Sequence, residues 1–380
     1  MLFFIRSVFV QLFLNAYFIY RIRKSKLIHK YLKWILYFLI GAETILSFVG
    51  FFGRESIPFE SYILIQKISI FWTVGSFYWL FLLLGFDFIF YLNKKWIFHV
   101  KFKDQTIRFL GIIALLLFFS HVGYYIRSPK DNYLEPQIKN LSYEFASIYN
   151  EADIIEVKSD YKLLVVSDLH LGYLIDKKVL TKYVDIINAQ QADIVVINGD
   201  LIDYYLEPLK EQQMGEELKR LQAPYGTYFI PGNHEYKEDV EANFEWIRQS
   251  GISVLRDSVV TIGKLQLIGR DDLKNEDNRK DWNQLMAQTD SSKIHVFFTH
   301  QPNDRKDAIA DNIPLIISGH THDGQIFPGN WLIHLFHSHS YGAKKEGESY
   351  LYTTSGLGLS GFPFRISTES EAVIFNLHFR

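Results

Sequence analysis

The distribution of apolar and polar positions divides the chain at about residue 130. Before that point, apolar residues form long runs rather than a short periodic pattern. Each run is close to the roughly 17–25 residues that a helix needs to cross the hydrocarbon core of a bilayer. The pattern therefore predicts an N-terminal transmembrane domain over residues 1–130, with four helices at about Leu2–Tyr20, Trp34–Phe52, Ile68–Leu92 and Phe109–Ile126.

The first run is the least apolar of the four, because Arg6, Gln11 and Asn15 interrupt it. A cleaved signal peptide is the alternative for this run, since a basic residue precedes an apolar segment. No small-residue cleavage site follows Tyr20, where the chain continues into a basic loop. We therefore predict a spanning helix here as well.

Two carboxylates, Glu43 and Asp87, lie inside predicted spans. A carboxylate is costly in hydrocarbon and often marks a functional site. The alternative is structural: each lies near a span end, is protonated or pairs with a neighbouring helix. We favour the structural interpretation, because the two carboxylates are isolated and no repeat accompanies them.

The charge of the chain differs between its two parts. Over 380 residues, Lys+Arg 40 nearly balance Asp+Glu 42, yet residues 1–130 hold sixteen Lys/Arg against five Asp/Glu, a net of +11. The remaining residues have a net charge of −13. Basic residues concentrate in the loops at 21–33 and 94–108, and such loops stay in the cytoplasm. This predicts an integral protein of the cell (inner) membrane whose residues after Ile126 are extracytoplasmic.

After residue 130 the pattern changes to short apolar runs that alternate with amphipathic segments. Residues 131–160 are predicted to form a linker and first strand, and residues 161–380 an α/β domain. Such alternation is typical of a largely parallel sheet covered by helices, and beyond Gly251 the predominance of strands indicates a second, mixed sheet. The predicted strands are Lys162–Ser167, Ile194–Asn198, Thr227–Ile230, Leu265–Ile268, Ile294–Thr299 and Leu315–Ser318, and the predicted helices are about Lys178–Ala189, Glu211–Leu221 and Val240–Gln249.

Five short motifs rich in metal-binding side chains follow five of these strands. Because ligands bind beyond the carboxyl ends of strands in an open α/β sheet, we expect the motifs to gather there. In Asp168-x-His170 and His320-x-His322 we expect an extended backbone that places both side chains on one face. The motifs are Ser167-Asp168-Leu169-His170, Asn198-Gly199-Asp200, Gly232-Asn233-His234-Glu235, Thr299-His300 and Gly319-His320-Thr321-His322.

The residue types of these motifs restrict the chemistry. The chain has no cysteine, which excludes a Cys-ligated zinc, an iron–sulfur cluster and thiol catalysis. Carboxylate, imidazole and amide ligands suit Mn²⁺, Fe or Zn²⁺ in an expanded coordination shell. Seven ligand-type residues exceed what one metal usually takes, so we predict two divalent metal ions that share a bridging carboxylate.

This ordered series resembles the calcineurin-like metallophosphoesterase superfamily over about residues 140–380. The late Ser355-Gly356-Leu357-Gly358 is similar to a subgroup that is often attached to N-terminal membrane helices. The resemblance implies a β-sandwich flanked by helices that hydrolyses a phosphate ester or anhydride. The subgroup usually reads Gly-His-Thr-His-Gly-Gly-Gln, whereas Asp323 replaces the first of the following glycines here. That change affects a substrate contact or the loop conformation, but no implied metal ligand.

The resemblance also implies roles for individual residues. Two catalytic residues are implied: Asp200, which would bridge the two metals, and His234, which would donate a proton to the leaving-group oxygen. The other implied ligands are Asp168, His170 and His322 for one metal, and Asn233, His300 and His320 for the other.

A second histidine group, His334, His337 and His339, lies in an aromatic segment. A third metal site is one interpretation. We favour a rim loop beside the main centre, because that centre already has enough ligands. The aromatic side chains of this segment are typical of either a membrane interface or packing against a sheet.

Together these features predict a membrane-anchored phosphoesterase whose partners are membrane lipids and a phosphorylated lipid or envelope substrate. One alternative is a cytoplasmic-facing hydrolase similar to UDP-2,3-diacylglucosamine pyrophosphatase, which the predicted topology disfavours. Another is a non-catalytic sensor or transporter that binds metal or phosphate. Nucleic acid is not expected as a substrate, because the predicted catalytic part is acidic and lacks a basic stripe. Protein partners, and the choice between monoester, diester and pyrophosphate, stay open.

Overall fold

A computed structural model of the protein describes residues 2–25, 28–52, 57–95, 135–145, 160–362 and 364–379. The chain divides into two units, Met1–Phe118 and Phe119–Arg380, which are considered separately below. The predicted fourth span, Phe109–Ile126, and most of the predicted linker lie outside the described residues.

The first unit contains three long helices: α1 (Leu2–Lys24), α2 (Lys30–Phe52) and α3 (Phe59–Lys95). Within the described residues, the segments Lys30–Val49 and Leu64–Gly85 are long and apolar enough to cross a membrane. Helix α1 does not reach the same apolar character. Of the predicted four-helix membrane region, the structure thus shows two candidate spans.

The two carboxylates inside predicted spans, Glu43 and Asp87, each have a partner on a neighbouring helix. Asn15 Nδ2 of α1 donates a hydrogen bond to Glu43 Oε2 at 2.8 Å, and Ser47 Oγ donates to Glu43 Oε1 at 2.5 Å. Arg21 pairs with Asp87 through two contacts of 2.5 and 3.1 Å. These contacts agree with the structural interpretation of the two carboxylates.

The second unit is built on two six-stranded sheets, whose strands do not follow chain order. The first sheet has the order β1-β12-β2-β3-β4-β5, and the second has the order β10-β11-β9-β8-β7-β6. The strands are β1 (Gln137–Phe145), β2 (Asp160–Val166), β3 (Ile194–Asn198), β4 (Thr227–Ile230), β5 (Ser253–Val254), β6 (Ser258–Ile262), β7 (Leu265–Gly269), β8 (Ile294–Phe298), β9 (Leu315–Ser318), β10 (Gly342–Glu346), β11 (Ser349–Thr353) and β12 (Glu371–Phe379).

The pairing of the strands is largely parallel in both sheets. Strands β2 to β5 are parallel neighbours in the first sheet, and β7, β8, β9 and β11 are parallel neighbours in the second. The antiparallel pairs are β12 with β2, β6 with β7, and β10 with β11. This arrangement confirms a largely parallel first sheet and a second, mixed sheet.

The two sheets pack face to face and helices cover their outer faces. Alternate side chains of a strand point to opposite faces, so Val165 of β2 packs toward Val296 and Ile317 of the second sheet, whereas Leu164 and Val166 face the helices. A smaller cluster that includes Phe297 and Leu285 covers the outer face of the second sheet. The predicted sandwich flanked by helices is confirmed.

Two of the predicted helices form, and both begin at an aspartate cap. Asp176 accepts from the Val179 amide and Asp239 from the Ala242 amide, which satisfies amides that a helix start leaves free. The third prediction, Glu211–Leu221, is only partly confirmed: Met214–Leu218 is helical, but Gln213, with a φ of 53°, separates it from the short helix Glu207–Glu211. The helices are Lys177–Ala189, Glu207–Glu211, Met214–Leu218, Val240–Gln249, Trp282–Met286, Lys306–Ala310 and Gly329–Phe336.

Candidate metal centre

The predicted ligands lie in loops at the carboxyl ends of five parallel strands. In the first sheet, β2, β3 and β4 are direct neighbours, and in the second sheet β8 and β9 are neighbours. Because the sheets face each other, the loops that follow these strands meet above one edge of the sandwich. The expected convergence is therefore observed.

One group of metal-binding atoms comes from Asp168, His170 and His322. His170 Nε2 lies 3.0 Å from His322 Nε2, and His322 Nε2 lies 3.2 Å from Asp168 Oδ1. All three side chains are buried, and one ligand atom of each lies within 4.8 Å of the others. Such a cluster of imidazole and carboxylate atoms is suited to a divalent cation.

A second group comes from Asp200, His300 and His320. His300 Nε2 lies 3.2 Å from Asp200 Oδ2, and the rings of His300 and His320 are 5.1 Å apart. Asp200 Oδ2 is also 3.7 Å from His170 Nε2 of the first group. The Asp200 carboxylate thus lies between the two groups, as a shared ligand would.

Several atoms of the centre are buried without a hydrogen-bond partner among the described residues. They include Asn233 Oδ1, and also Asp168 Oδ1 and His300 Nε2, whose 3.2 Å contacts with His322 Nε2 and Asp200 Oδ2 are not hydrogen bonds. A buried acceptor without a partner is costly, so such atoms need an explanation in a folded protein. All three are chemically competent to bind a cation, and the residues present therefore fit a metal centre.

The backbone of the ligands differs from the extended conformation that the sequence predicted. Asp168, His170, Asp200, His320 and His322 have φ values of 56°, 49°, 50°, 73° and 50°. Side chains therefore converge through left-handed turns after the strands, and the expected extended backbone is wrong. A left-handed residue other than glycine is strained, and such strain persists where the surrounding structure holds it.

Two glycines allow the loops to approach each other. Gly199 has a φ of 87°, and a Cβ there would lie 2.2 Å from His300 Nδ1. A Cβ at Gly319 would lie 2.1 Å from Ser167 Oγ. Any larger residue at either position would displace a ligand or its neighbour.

Glu235 links the loops that carry Asp200 and Asn233 through hydrogen bonds to backbone amides. Its carboxylate is fully buried and accepts from the amides of Asp200 at 3.2 Å, Gly232 at 2.9 Å and Ile202 at 3.0 Å. Burial, and then the charge of Asp200, raise the pKa of Glu235 to about 7. The sequence placed Glu235 in a motif but indicated no role for it.

His234 lies at the edge of the centre, where its Nδ1 donates to the backbone carbonyl oxygen of Asp203, a residue that the sequence analysis missed. Its Nε2 is 3.8 Å from Asp200 Oδ2, and its Nδ1 is 3.3 Å from Asp203 Oδ1. Asp203 Oδ1 is also 3.4 Å from His170 Nδ1, so one carboxylate faces two site histidines. The signal in the sequence was a second aspartate three residues after Asp200.

These contacts affect the protonation of the site. Burial alone would lower the pKa of His234, but the charge of Asp200 and the contact with Asp203 raise it above its usual value. Burial would raise the pKa of Asp203, but the contacts with both histidines lower it to about 2. Burial lowers the pKa of His320 and His322 to about 4, which keeps both neutral, the form that binds metals.

Arg365 holds a late loop against the first ligand group. Its buried guanidinium donates to the carbonyl oxygens of Ser355 at 2.7 Å, Gly358 at 2.9 Å and His322 at 3.2 Å. The Gly358 amide in turn donates to the Asp168 carbonyl at 3.0 Å. The loop that resembles the membrane-attached subgroup is therefore part of the wall of the centre, and no pattern in the sequence pointed to Arg365.

Asp323, which replaces a glycine of the subgroup pattern, follows His322 in a short 3-10 turn. Its backbone has a φ of 50° and ψ of 32°, a conformation that glycine adopts freely and aspartate tolerates. Burial raises the pKa of Asp323 to about 6. The substitution is thus compatible with a left-handed turn at this position.

The second histidine group does not converge. His334 Nδ1 lies 2.7 Å from Ser340 Oγ, His337 Nδ1 lies 3.1 Å from Asn303 Oδ1, and His339 Nδ1 lies 3.3 Å from an Arg305 nitrogen. In the described part of the chain, these three histidines share no metal-binding cluster. The arrangement agrees with a rim loop.

Comparison with known proteins gives the same class. Residues 161–324 match the family model for calcineurin-like phosphoesterases. A metallophosphoesterase of Helicobacter pylori strain J99 is 31% identical over 261 residues, which cover 67% of this chain and 68% of the relative. Another from strain 26695 is 27% identical over 349 residues, which cover 84% of this chain and 92% of the relative. A Danio rerio "transmembrane protein with metallophosphoesterase domain" is 32% identical over 226 residues, which cover 55% of this chain and 51% of the relative.

A two-sheet α/β sandwich with two groups of metal-binding side chains at its strand ends, together with these similarities, defines a metal-dependent phosphoester hydrolase. The chain belongs to the calcineurin-like metallophosphoesterase family.

Proposed function

We propose that the protein is a membrane-anchored phosphoesterase that uses two divalent metal ions to hydrolyse a phosphorylated lipid or cell-envelope component. The observation that carries the proposal is the presence, in one chain, of the metal centre and of two segments apolar enough to cross a bilayer. Tethering beside a bilayer raises the effective concentration of membrane-resident substrates. The name of the Danio rerio relative likewise combines a transmembrane protein with a metallophosphoesterase domain.

The two ligand groups support a binuclear centre with Asp200 between them. Bound there, divalent cations such as Mn²⁺, Fe²⁺ or Zn²⁺ neutralise charge on phosphoryl oxygens and acidify water. The proposed holders are Asp168, His170 and His322 for one ion, Asn233, His300 and His320 for the other, and Asp200 for both.

His234 is proposed to donate a proton to the leaving-group oxygen. Its Nδ1 donates to the backbone carbonyl oxygen of Asp203, which fixes the orientation of the ring, and its Nε2 is the ring nitrogen nearer Asp200 and also contacts Lys237 Nζ. Asp203 is therefore a positioning residue in this mechanism. The leaving group departs as a neutral alcohol, because the proton arrives as the phosphorus–oxygen bond breaks.

Metal dependence tests the proposed hydrolysis. The full chain, solubilised in detergent and treated with a chelator, should lose turnover of aryl phosphate monoesters and diesters by about 10³-fold. Addition of Mn²⁺, Zn²⁺ or Fe²⁺ should restore it, and a screen of lipid extracts for phosphate release should then identify the headgroup class. Failure of every metal to support turnover would favour a protein that only binds metal or phosphate.

The orientation of the catalytic unit separates two substrate classes. We propose that it is extracytoplasmic, on the basis of the basic loops, whereas a UDP-linked diacylglucosamine substrate would face the cytoplasm. A reporter that is active only outside the cytoplasm, fused after Arg127, should be active. An inactive reporter there, with a cytoplasmic reporter active instead, would reverse the choice of substrate.

A further inference from the structure

The helix Gly329–Phe336 exposes an apolar surface beside the metal centre. Trp331, Leu332, Leu335 and Phe336 are 67%, 48%, 77% and 76% exposed. Among the other described residues of the second unit, no large apolar side chain is more than 40% exposed. A contiguous apolar patch on a protein surface marks a contact with another molecule or a membrane.

The four side chains lie on one face of the helix. Leu332, Leu335 and Phe336 follow Trp331 by one, four and five residues. Because a helix completes a turn every 3.6 residues, these positions form a single stripe along the helix. Asn330 and His334 lie on the other side, where His334 Nδ1 is 2.7 Å from Ser340 Oγ. The helix contains no Asp, Glu, Lys or Arg.

This helix is joined to the metal centre through the turn that carries a ligand. It packs against the 3-10 turn His322–Gly324. Whatever covers the exposed face is therefore held beside His322.

We propose that the helix Gly329–Phe336 is an interfacial helix that inserts its exposed face between the headgroups of a phospholipid bilayer. The metal centre would then face phosphate groups at the membrane surface, which identifies a headgroup phosphate as the substrate class. The proposal rests on the membrane anchoring proposed above and adds a second, peripheral contact with the same bilayer.

A bilayer fits this face for two reasons. Its side chains are uncharged and include a tryptophan, a combination that favours the boundary between headgroups and acyl chains. The candidate spans in the same chain also keep a bilayer within reach. Only residues 96–136, which include the predicted fourth span Phe109–Ile126, separate α3 from β1.

Depth measurements on the full chain test the proposal. The protein has no cysteine, so a single introduced cysteine can be labelled with an environment-sensitive fluorophore. In phosphatidylcholine vesicles, a label at Leu335→Cys should be quenched by acyl-chain doxyl lipids roughly threefold more strongly than a label at Glu245→Cys. Glu245 is a matched control, because it is exposed on another helix of the same unit.

The periodicity of quenching provides an internal check. Labels at Leu332→Cys and Phe336→Cys should match Leu335→Cys, and a label at Asn330→Cys should resemble the Glu245→Cys control. Equal, weak quenching at all five positions would overturn the proposal, as would energy transfer between labelled copies that shows self-association through this face. Thermal unfolding of each variant ensures that the labelled protein is folded.

One further label separates this proposal from the anchoring on which it rests. Phe77 is exposed within the candidate span Leu64–Gly85. Strong quenching at Phe77→Cys with weak quenching at Leu335→Cys would leave the anchor in place and remove the interfacial helix. Weak quenching at Phe77→Cys with strong quenching at Leu335→Cys would support the interfacial helix and contradict the membrane anchor. Neither result depends on measuring turnover.

Discussion

Two buried polar clusters of this protein contain carboxylates, and they differ in how the carboxylate oxygens are satisfied. In the helical unit, both oxygens of Glu43 accept hydrogen bonds, from Asn15 and Ser47. In the catalytic unit, Asp168 Oδ1 and His300 Nε2 are buried without a hydrogen-bond partner among the described residues. Both oxygens of Glu43 are satisfied within the protein, whereas the second cluster leaves buried metal-binding atoms without a hydrogen-bond partner.

The backbone shows the same difference. Asn15, Glu43 and Ser47 belong to regular helices, where no strain is required. Five of the predicted metal ligands, by contrast, have positive φ values. Strained backbone accompanies the cluster with unsatisfied atoms, which is the usual association of strain with function.

The largest effect is expected at the shared carboxylate. Asp200→Asn should reduce turnover by about 10³-fold or more, because it removes the charge that both ligand groups face. The variant should remain folded by circular dichroism and thermal unfolding, since the amide keeps an oxygen that can accept from the His234 amide. Asp277→Asn, at an exposed position, is the matched control and should retain full turnover. Full activity of the Asp200 variant would refute its role.

A smaller loss is expected at His234. His234→Ala should slow hydrolysis by about 10²–10⁴-fold for an alkyl phosphate, whose leaving group needs a proton. The loss should be much smaller for an aryl phosphate with a strongly acidic leaving group. His295→Gln is the control, because the partly exposed His295 side chain contacts the Asp290 carbonyl oxygen and is not part of the metal centre. Equal losses for both substrates would show that His234 is not the proton donor.

The smallest effect is expected at Glu43. Glu43→Gln should change the free energy of unfolding by about 1 kcal/mol or less, because an amide preserves hydrogen bonding between helices. Metal-dependent turnover should not change. Thermal unfolding and turnover in the same detergent measure both quantities. A turnover loss of about tenfold would contradict the comparison, since it would couple the helical cluster to catalysis.

The sequence predicted the central strands well and the peripheral ones poorly. Ile194–Asn198, Thr227–Ile230 and Leu315–Ser318 agree with the structure at both ends, because buried parallel strands are continuous apolar runs. Strand β10 was missed because Lys344, Lys345 and Glu346 give it a polar composition. Strand β12 was also missed, and its position between β1 and β2 depends on pairing with distant residues.

The predicted site residues could be chosen from residue type and position after a strand, but their geometry could not. Positive φ at Asp168 or His320 is imposed by packing and is not visible in local sequence, which favours such angles mainly at glycine. Asp203 left a weak signal in its spacing from Asp200. Arg365 left none, because it acts on backbone carbonyl oxygens, which every residue has.

The position of β12 has a consequence for the order of assembly. Every predicted metal ligand precedes Glu371 in the chain, yet β12 pairs with β2, the strand that leads to Asp168 and His170. During synthesis the ligands therefore emerge before the first sheet can be completed. One edge of β2 stays unpaired until β12, about two hundred residues later in the chain, has been synthesised. The complete ligand set is thus synthesised before the sheet can be completed, and a chain that stopped short of β12 would carry all the predicted ligands without the strand that pairs with β2.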